Sequence, residues 1–146
     1  MAKAKSDPDL SAWVATIETR VDSHYPDGVV SLGIIAELLG MAGTKLAYML
    51  DGDGGLMRQF DQLEFIAPVY QGDFVRVTAR LLAVGRTSRR RGYEAWVVAR
   101  CHGIGEAPTH GALLDPPILA ARATGVTVTP LDRQRLTPPA LKGRPA

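Results

Sequence analysis

The sequence predicts an α+β fold in which a curved antiparallel sheet of about five strands wraps around one long buried helix. One observation is the helical pattern at 32–50, where apolar residues occupy almost the whole helical wheel, as in a helix that is covered on all sides. The other is the order of the remaining segments, since one alternating segment precedes the helix and four follow it. A chain of 146 residues, 46% of them apolar, can build one hydrophobic core from these elements.

The residues at both ends of the central helix are typical of helix caps. Ser31 offers a hydroxyl at the start, and the turn-forming residues 51–55 follow the last apolar position. Glu37 and Lys45 are the only charges inside the helix, and with Met41 they follow an i, i+4, i+8 spacing along one face. Because a charge in a buried helix is costly unless it is paired or functional, this stripe is the first place to look for chemistry.

Period-two alternation predicts the strands that surround the helix. They are expected at 13–21, 56–69, 74–84, 93–102 and 118–129. Two connections are distinctive: the arginine-rich segment Gly85–Arg91 is predicted to be a basic hairpin turn, and 103–117 a loop long enough to be a lid or a partner contact. An exposed edge strand is a liability, so we expect a dimer that continues the sheet.

The predicted domain covers 10–130, between a flexible N-terminus at 1–9 and a proline-rich, basic tail at 131–146. Cys101 is the single cysteine, which excludes an intrachain disulfide and favours a reducing compartment. The N-terminus lacks the apolar segment of a signal peptide, and no apolar run is expected to span a bilayer. We therefore expect a cytoplasmic protein without a membrane partner.

Several function classes are disfavoured by composition and motifs. The net charge of +2 comes largely from the basic tail, so the body offers no basic surface for nucleic acid. The glycine-rich segment 52–55 follows a helix instead of leading into one, which excludes a phosphate loop, and no Gly-x-Ser-x-Gly elbow of a serine hydrolase occurs. His102 and His110 lack a third ligand at a spacing typical of a metal site.

A set of short strings, in one order along the chain, carries a family resemblance. They are His24-Tyr25, Thr44 with Leu46, LDGD at 50–53, EFIAPVYQGDF at 64–74, VGRTS at 84–88, EAWVV at 94–98, PPIL at 116–119, RATG at 122–125 and DRQR at 132–135. Together they resemble the hotdog-fold β-alanyl-CoA and 3-aminobutyryl-CoA ammonia-lyase family. The resemblance extends over roughly residues 24 to 135.

This resemblance implies an acyl-CoA enzyme with its site at a homodimer interface, in some cases within a trimer of dimers. The implied reaction is the reversible addition of ammonia to an enoyl-CoA, or its elimination from a β-aminoacyl-CoA. It implies no metal and no tightly bound cofactor, since coenzyme A is part of the substrate.

That chemistry needs a base for the α-proton, an acid for the leaving amine and a donor for the thioester oxygen. The candidate catalytic residues are Glu37, Glu94, Tyr70, His24 and Asp73. The amides of Gly33 and Ile34, at the positive end of the helix dipole, are candidates to hold the thioester oxygen. The candidates for the phosphates of coenzyme A are Arg86, Thr87, Ser88 and Arg89.

Each candidate also has a structural interpretation. Glu37 could be a carboxylate at a dimer surface, and Glu94 a member of an ion pair. His24 suits a turn or a cap, and Asp73 is more typical of a turn former that accepts hydrogen bonds from its own backbone. Lys45 is expected to extend along apolar surface or form a salt bridge. The arginines could equally form a solvated hairpin tip.

The chain departs from the resemblance in its helix, where the family carries acids at the positions of Met41 and Lys45. Glu37 falls where an amide is common, and it could replace those acids from one turn earlier. That arrangement is similar to hotdog thioesterases that use a helix carboxylate. The alternatives are therefore an acyl-CoA thioesterase using Glu37, an enoyl-CoA hydratase-like enzyme, and a catalytically silent subunit that binds coenzyme A.

Overall fold

One helix packs on one face of a five-stranded antiparallel sheet in the computed structural model, which describes residues 9–136. In chain order the elements are β1 Val14–Arg20, α1 Leu32–Asp51, β2 Leu56–Phe65, β3 Phe74–Val84, β4 Ser88–Arg100 and β5 Ala112–Val128, followed by a short 3-10 helix, Leu131–Arg133. The strand order is β1-β3-β4-β5-β2. The predicted fold class is confirmed. Most of the predicted N-terminal segment and the end of the predicted tail lie outside the described residues.

Both predicted caps of α1 are present. The Ser31 hydroxyl accepts a hydrogen bond from the Gly33 amide at 3.2 Å. Gly52 ends the helix in the left-handed region with φ of 65°, and its amide donates to the carbonyl of Tyr48. Glycine suits this position because it carries no Cβ to oppose a positive φ.

The core lies between one face of α1 and the inner face of β1, β3 and β4. The helix contributes the buried side chains of Ile35, Leu38, Leu39, Ala42, Leu46, Ala47 and Leu50. The expectation that α1 is covered all round is wrong within one chain, because Met41 is 51% and Tyr48 is 59% exposed. One sheet covers only one side of a helix, so the other side is left for a partner.

The helix also corrects the expectation that no apolar run could span a bilayer. By its length and apolar composition alone, α1 meets that requirement. Core helices that pack on a sheet meet it too, and α1 packs on β3, β1 and β4. Its apolar composition is therefore accounted for by the core.

The predicted and observed strands agree best where the alternation is strong. The third strand has the predicted bounds, and β2 ends three residues before Pro68. The last strand begins at Ala112 instead of Ile118, so the predicted loop 103–117 is shorter than expected. Pro116 and Pro117 fall in a register shift of the β4–β5 ladder, between the pairs that involve Val97 and Ala99. Such an irregularity tolerates residues without an amide hydrogen.

The largest difference from prediction is the start of β4. The strand begins at Ser88, so the segment predicted as a basic turn is mostly strand. Alternation along β4 then places Arg89 and Arg91 on the same face as Tyr93, toward the helix. Their side chains are buried, with exposed fractions of 0% and 1%. Burying two charged arginines costs free energy unless their charges are paired. The groups that they contact are therefore important for the site.

The strand β2 forms one edge of the sheet and pairs only with β5 among the described elements. Nine of its ten residues are exposed, and they include Leu56, Met57, Leu63 and Phe65. An open edge that carries apolar side chains is typical of a surface that pairs with a second chain.

Candidate active site

A cavity of about 350 Å³ opens between α1, the starts of β2 and β4 and the end of β5, and we call it the helix cavity. The side chains that line it include Glu37, Met41, Met57, Arg91, Tyr93 and Thr127. It lies beside the open edge of the sheet, since Met57 belongs to both. The first part of the predicted helix stripe therefore faces a cavity.

Glu37 carries a carboxylate that can act as a base. Its side chain is exposed, and it makes no hydrogen bond or ion pair with any residue in the 9–136 range. Lys45, two turns along the stripe, lies outside the lining of the cavity and donates from Nζ to the carbonyl of Thr16 at 2.8 Å. Lys45 forms no salt bridge with a described residue, and Glu37 therefore has no cationic partner on the helix.

Arg91 lines the helix cavity, although the sequence did not predict that this side chain faces inward. Its Nη1 donates to the carbonyl of Gly43 at 2.6 Å, whereas Nε and Nη2 have no partner among the described residues. A Cβ at Gly43 would lie 3.0 Å from the Tyr93 hydroxyl and 3.2 Å from Nη1, so a larger residue would require these side chains to shift by a few tenths of an ångström. The strand alternation with Tyr93 was the signal that could have identified it.

The electrostatics of the helix cavity are those of a buried cation beside neutral hydroxyls. Burial lowers the pKa of Arg91, and the nearby Tyr93 hydroxyl opposes that shift. Burial likewise raises the pKa of Tyr93. A guanidinium nonetheless keeps its proton in proteins, so Arg91 is charged and Tyr93 is a neutral donor at neutral pH. The hydroxyls of Tyr93 and Thr127 have no hydrogen-bond partner among residues 9–136.

Asp73 lies in a separate place, at the turn before β3, and its carboxylate is fully engaged. Arg100 donates from Nε to Oδ1 at 3.0 Å and from Nη2 to Oδ2 at 2.8 Å, and the Tyr70 amide donates to Oδ2 at 2.8 Å. Asp73 is buried, and it raises the pKa of Arg100. This geometry supports the turn-forming role over an acid role.

Tyr70, whose amide donates to Asp73, and His24 both lie outside the lining of the helix cavity. The Tyr70 ring stacks on His102 with centroids 4.0 Å apart, and the Arg100 guanidinium lies 4.9 Å from its centroid. His24 is exposed and donates from Nδ1 to the Tyr25 carbonyl at 2.6 Å. Neither residue lines the helix cavity with Glu37.

Glu94 is on the opposite face of the sheet from Glu37. It alternates with Tyr93 along β4 and lines an outer cavity of about 380 Å³ together with Glu64 and Arg122. Arg122 donates to Glu64 at 2.7 Å, and Glu94 makes no ion pair with any described residue. The candidate catalytic residues Glu37 and Glu94 therefore do not share a cavity within one chain, because the sheet separates them.

The predicted phosphate-binding residues divide into two groups. Arg89 is buried and donates from Nε and Nη2 to Asp51, so it presents no charge to an external phosphate. Thr87 and Ser88 lie where the hairpin turn meets β4, and Thr87 accepts the Thr129 amide through its carbonyl at 2.8 Å. Arg86 is exposed in that turn, with no side-chain partner among the described residues.

The predicted thioester donors at the start of α1 are already bonded. The Gly33 amide donates to the Ser31 hydroxyl at 3.2 Å, and the Ile34 amide donates to the Ser31 carbonyl at 3.0 Å. The same serine cap that begins the helix therefore occupies the amides expected to hold the thioester oxygen. Neither amide is free in this structure.

Comparison with known proteins agrees with this architecture. The model of the Thioesterase superfamily matches residues 27–100. A 3-aminobutyryl-CoA ammonia lyase of Acetoanaerobium sticklandii is 37% identical over 115 residues, which are 78% of this chain and 90% of that protein.

Solved structures extend the comparison to three dimensions. The β-alanyl-CoA:ammonia lyase of Clostridium propionicum superposes with a TM-score of 0.79 at 30% identity, covering 86% of this chain and 90% of that one. A hexameric thioesterase of Yersinia pestis superposes with a TM-score of 0.67 at 19% identity, covering 84% and 94%, and shares the fold. The chain therefore belongs to the hotdog-fold thioesterase superfamily and, within it, to the family of the CoA ammonia lyases.

Proposed function

We propose that this protein is a carbon-nitrogen lyase that reversibly adds ammonia to an enoyl-CoA and eliminates it from a β-aminoacyl-CoA. The observation that carries the proposal is the 37% identity to a 3-aminobutyryl-CoA ammonia lyase over 90% of that relative's length. The helix cavity supports it, because it presents an unpaired carboxylate beside buried donors. Coenzyme A enters as part of the substrate.

Glu37 is the base in this proposal. In the elimination direction its carboxylate takes the α-proton next to the thioester, and the electrons of that C–H bond form the new double bond. The C–N bond breaks, and the amine, which is protonated in the substrate, leaves as neutral ammonia and takes the abstracted proton from Glu37 to become ammonium. Addition reverses these steps. Glu37 suits this work because its carboxylate lines the helix cavity and is held by no other described residue.

The site is completed by a second copy of the chain in this proposal. Pairing of two β2 edges continues the sheet across the dimer, and the helix cavity lies beside that edge. The exposed Met41 and Tyr48 of α1 need the same cover. A trimer of dimers is a further step that the resemblance implies.

Coenzyme A would place its phosphates against the hairpin turn before β4. Arg86 is exposed there, and Gln134 donates from Nε2 to its carbonyl at 2.9 Å, which holds the C-terminal turn beside it. Arg133 and Arg135 flank Gln134 in the sequence, and Arg133 already pairs with Asp53 at 3.8 Å, so Arg86 and Arg135 are the candidates to contact phosphate there. The acyl-CoA substrates proposed above are metabolic intermediates. Together with the free, exposed Cys101, they favour a cytoplasmic location.

The addition reaction tests the proposal. Purified full-length protein is supplied with crotonyl-CoA or acryloyl-CoA and ammonium, and the enoyl absorbance is followed while products are identified by mass. We expect the absorbance to fall and a β-aminoacyl-CoA to form. Release of free thiol would indicate a thioesterase and a β-hydroxyacyl product a hydratase. Binding of coenzyme A without turnover would indicate a silent subunit.

A further inference from the structure

Arg89 and Arg91 lie two residues apart on the same face of β4, and each anchors its Nη1 atom on backbone carbonyl oxygen. Arg89 anchors Nη1 on the carbonyls of Gly85 and Ser88, both at 3.0 Å, and uses Nε and Nη2 to hold the Asp51 carboxylate at 3.0 and 2.7 Å. Arg91 anchors Nη1 on the Gly43 carbonyl at 2.6 Å. Its Nε and Nη2 hold nothing among the described residues.

The Nε and Nη2 edge of arginine matches the two oxygens of a carboxylate. In Arg89 the protein fills that edge with its own aspartate, whereas in Arg91 the edge is vacant at the lining of the helix cavity. Glu37 lines the same cavity but forms no ion pair with Arg91. A charged group with 1% exposure and no anion is unfavourable, so the geometry points to an anion supplied from outside.

Two hydroxyls extend this vacant edge into a built site. Tyr93 and Thr127 each have an exposed fraction of 2%, line the same cavity and lie beside each other and beside Arg91, and no carboxylate or backbone group among residues 9–136 holds their hydroxyls. A planar carboxylate could accept from the guanidinium edge and from these hydroxyls. A thioester oxygen is a poorer match, because it is one neutral atom and would leave donors unpaired. A phosphate of coenzyme A is a poorer match as well, because it needs a large solvated site such as the one around Arg86.

We propose that Arg91, Tyr93 and Thr127 bind a carboxylate at the far end of the acyl chain, so that CoA thioesters of dicarboxylic acids are preferred over thioesters of the same length that lack this carboxylate. This inference rests on the proposed acyl-CoA function and adds the substrate class. A cavity of about 350 Å³ has room for a short acyl chain that ends in a carboxylate. Arg91 is a binding residue in this assignment, and Glu37 remains the base.

A matched pair of saturated thioesters tests the subsite without turnover. Glutaryl-CoA and valeryl-CoA have the same five-carbon chain and differ only in a terminal carboxylate in place of a methyl group. Calorimetric Kd values are measured for the full-length protein, for Arg91→Met and for Arg20→Met, which removes an exposed arginine of β1 that pairs with Asp22. The wild type and Arg20→Met are expected to bind glutaryl-CoA about tenfold more tightly than valeryl-CoA.

Arg91→Met is expected to reduce that preference to less than about twofold while the Kd for valeryl-CoA changes less than about threefold. Tyr93→Phe, which removes one donor and keeps the ring, is expected to weaken glutaryl-CoA alone. Equal binding of the two thioesters by the wild type overturns the subsite, and so does a preference that survives in both Arg91→Met and Tyr93→Phe. Binding of valeryl-CoA alone overturns only the subsite, whereas failure of both thioesters to bind contradicts the acyl-CoA function itself.

Discussion

Arg89 and Asp51 form a two-point ion pair, with Nε to Oδ2 at 3.0 Å and Nη2 to Oδ1 at 2.7 Å, and both side chains are fully buried. The pair joins the start of β4 to the last residue of α1, across 38 residues of sequence. The Asp51 carbonyl also accepts the amides of Arg135 and Leu136 at 2.8 and 3.2 Å. Asp51 therefore connects the helix, the sheet and the C-terminal turn to one another.

Removing one member of this ion pair should lower the free energy of unfolding far more than removing both members. Arg89→Met leaves the Asp51 carboxylate buried without a cation, so we expect the free energy of unfolding to fall by about 3–5 kcal/mol. The double variant Arg89→Met with Asp51→Leu removes both charges and should recover most of that loss. Chemical denaturation measures both, and a single variant within about 1 kcal/mol of wild type would contradict the role given to the pair.

Replacing Arg91, unlike replacing Arg89, should increase the stability of the protein. Its guanidinium is buried without an anion in the unliganded protein, so Arg91→Met should raise the free energy of unfolding by about 1–2 kcal/mol and Tm by about 3–6 °C. Thermal unfolding of both proteins without ligand provides the measurement. A lower Tm for Arg91→Met would show that another group, such as a carboxylate of the partner subunit, already neutralises Arg91.

Asp73 should matter for stability and not for the chemical step. Asp73→Asn breaks the two-point bond to Arg100, so we expect a loss of about 2–3 kcal/mol in stability and a kcat within about threefold of wild type. Asp22→Asn is the control, because its ion pair with Arg20 is exposed and should contribute less than about 1 kcal/mol. A large loss of kcat in folded Asp73→Asn protein would restore Asp73 as an acid.

The open edge of β2 should form the dimer interface. Leu63→Lys combined with Phe65→Lys places like charges on both copies of that edge, and we expect the dimer Kd to rise at least about tenfold. Light scattering after size-exclusion chromatography reports the mass over a dilution series. Thr19→Lys, on the opposite edge strand β1, is the control and should leave the mass unchanged. A dimer that resists the double substitution would place the interface elsewhere.

The fold was predictable because its main signals are local. The bounds of β3 follow from alternation, and the ends of α1 follow from Ser31 and Gly52, which cap the helix through their own backbone geometry. The Ser31 cap also explains why the amides predicted to hold the thioester oxygen are not free. Ser31 was expected to accept hydrogen bonds at the helix start, and in doing so it occupies the amides of Gly33 and Ile34.

The rest of the site depends on contacts between distant residues. A run of arginines is typical of a solvated turn, and only the partner Asp51, far away in sequence, reveals that Arg89 is a core residue. Alternation along β4 separates Glu94 from Tyr93, but it does not show which face meets the helix. Packing of α1 on the sheet decides that, and it leaves Glu37 and Glu94 on opposite sides.

The central claim is that Glu37 serves an ammonia lyase, and elimination from 3-aminobutyryl-CoA tests it most directly. Ammonium and enoyl-CoA are quantified together for the wild type, for Glu37→Gln and for Glu106→Gln, a control in the exposed loop before β5. We expect one ammonium per enoyl-CoA from the wild type and the control, and a kcat lower by at least about 100-fold for Glu37→Gln. Coenzyme A thiol released without ammonium, or a Glu37→Gln variant at full rate, would contradict the account.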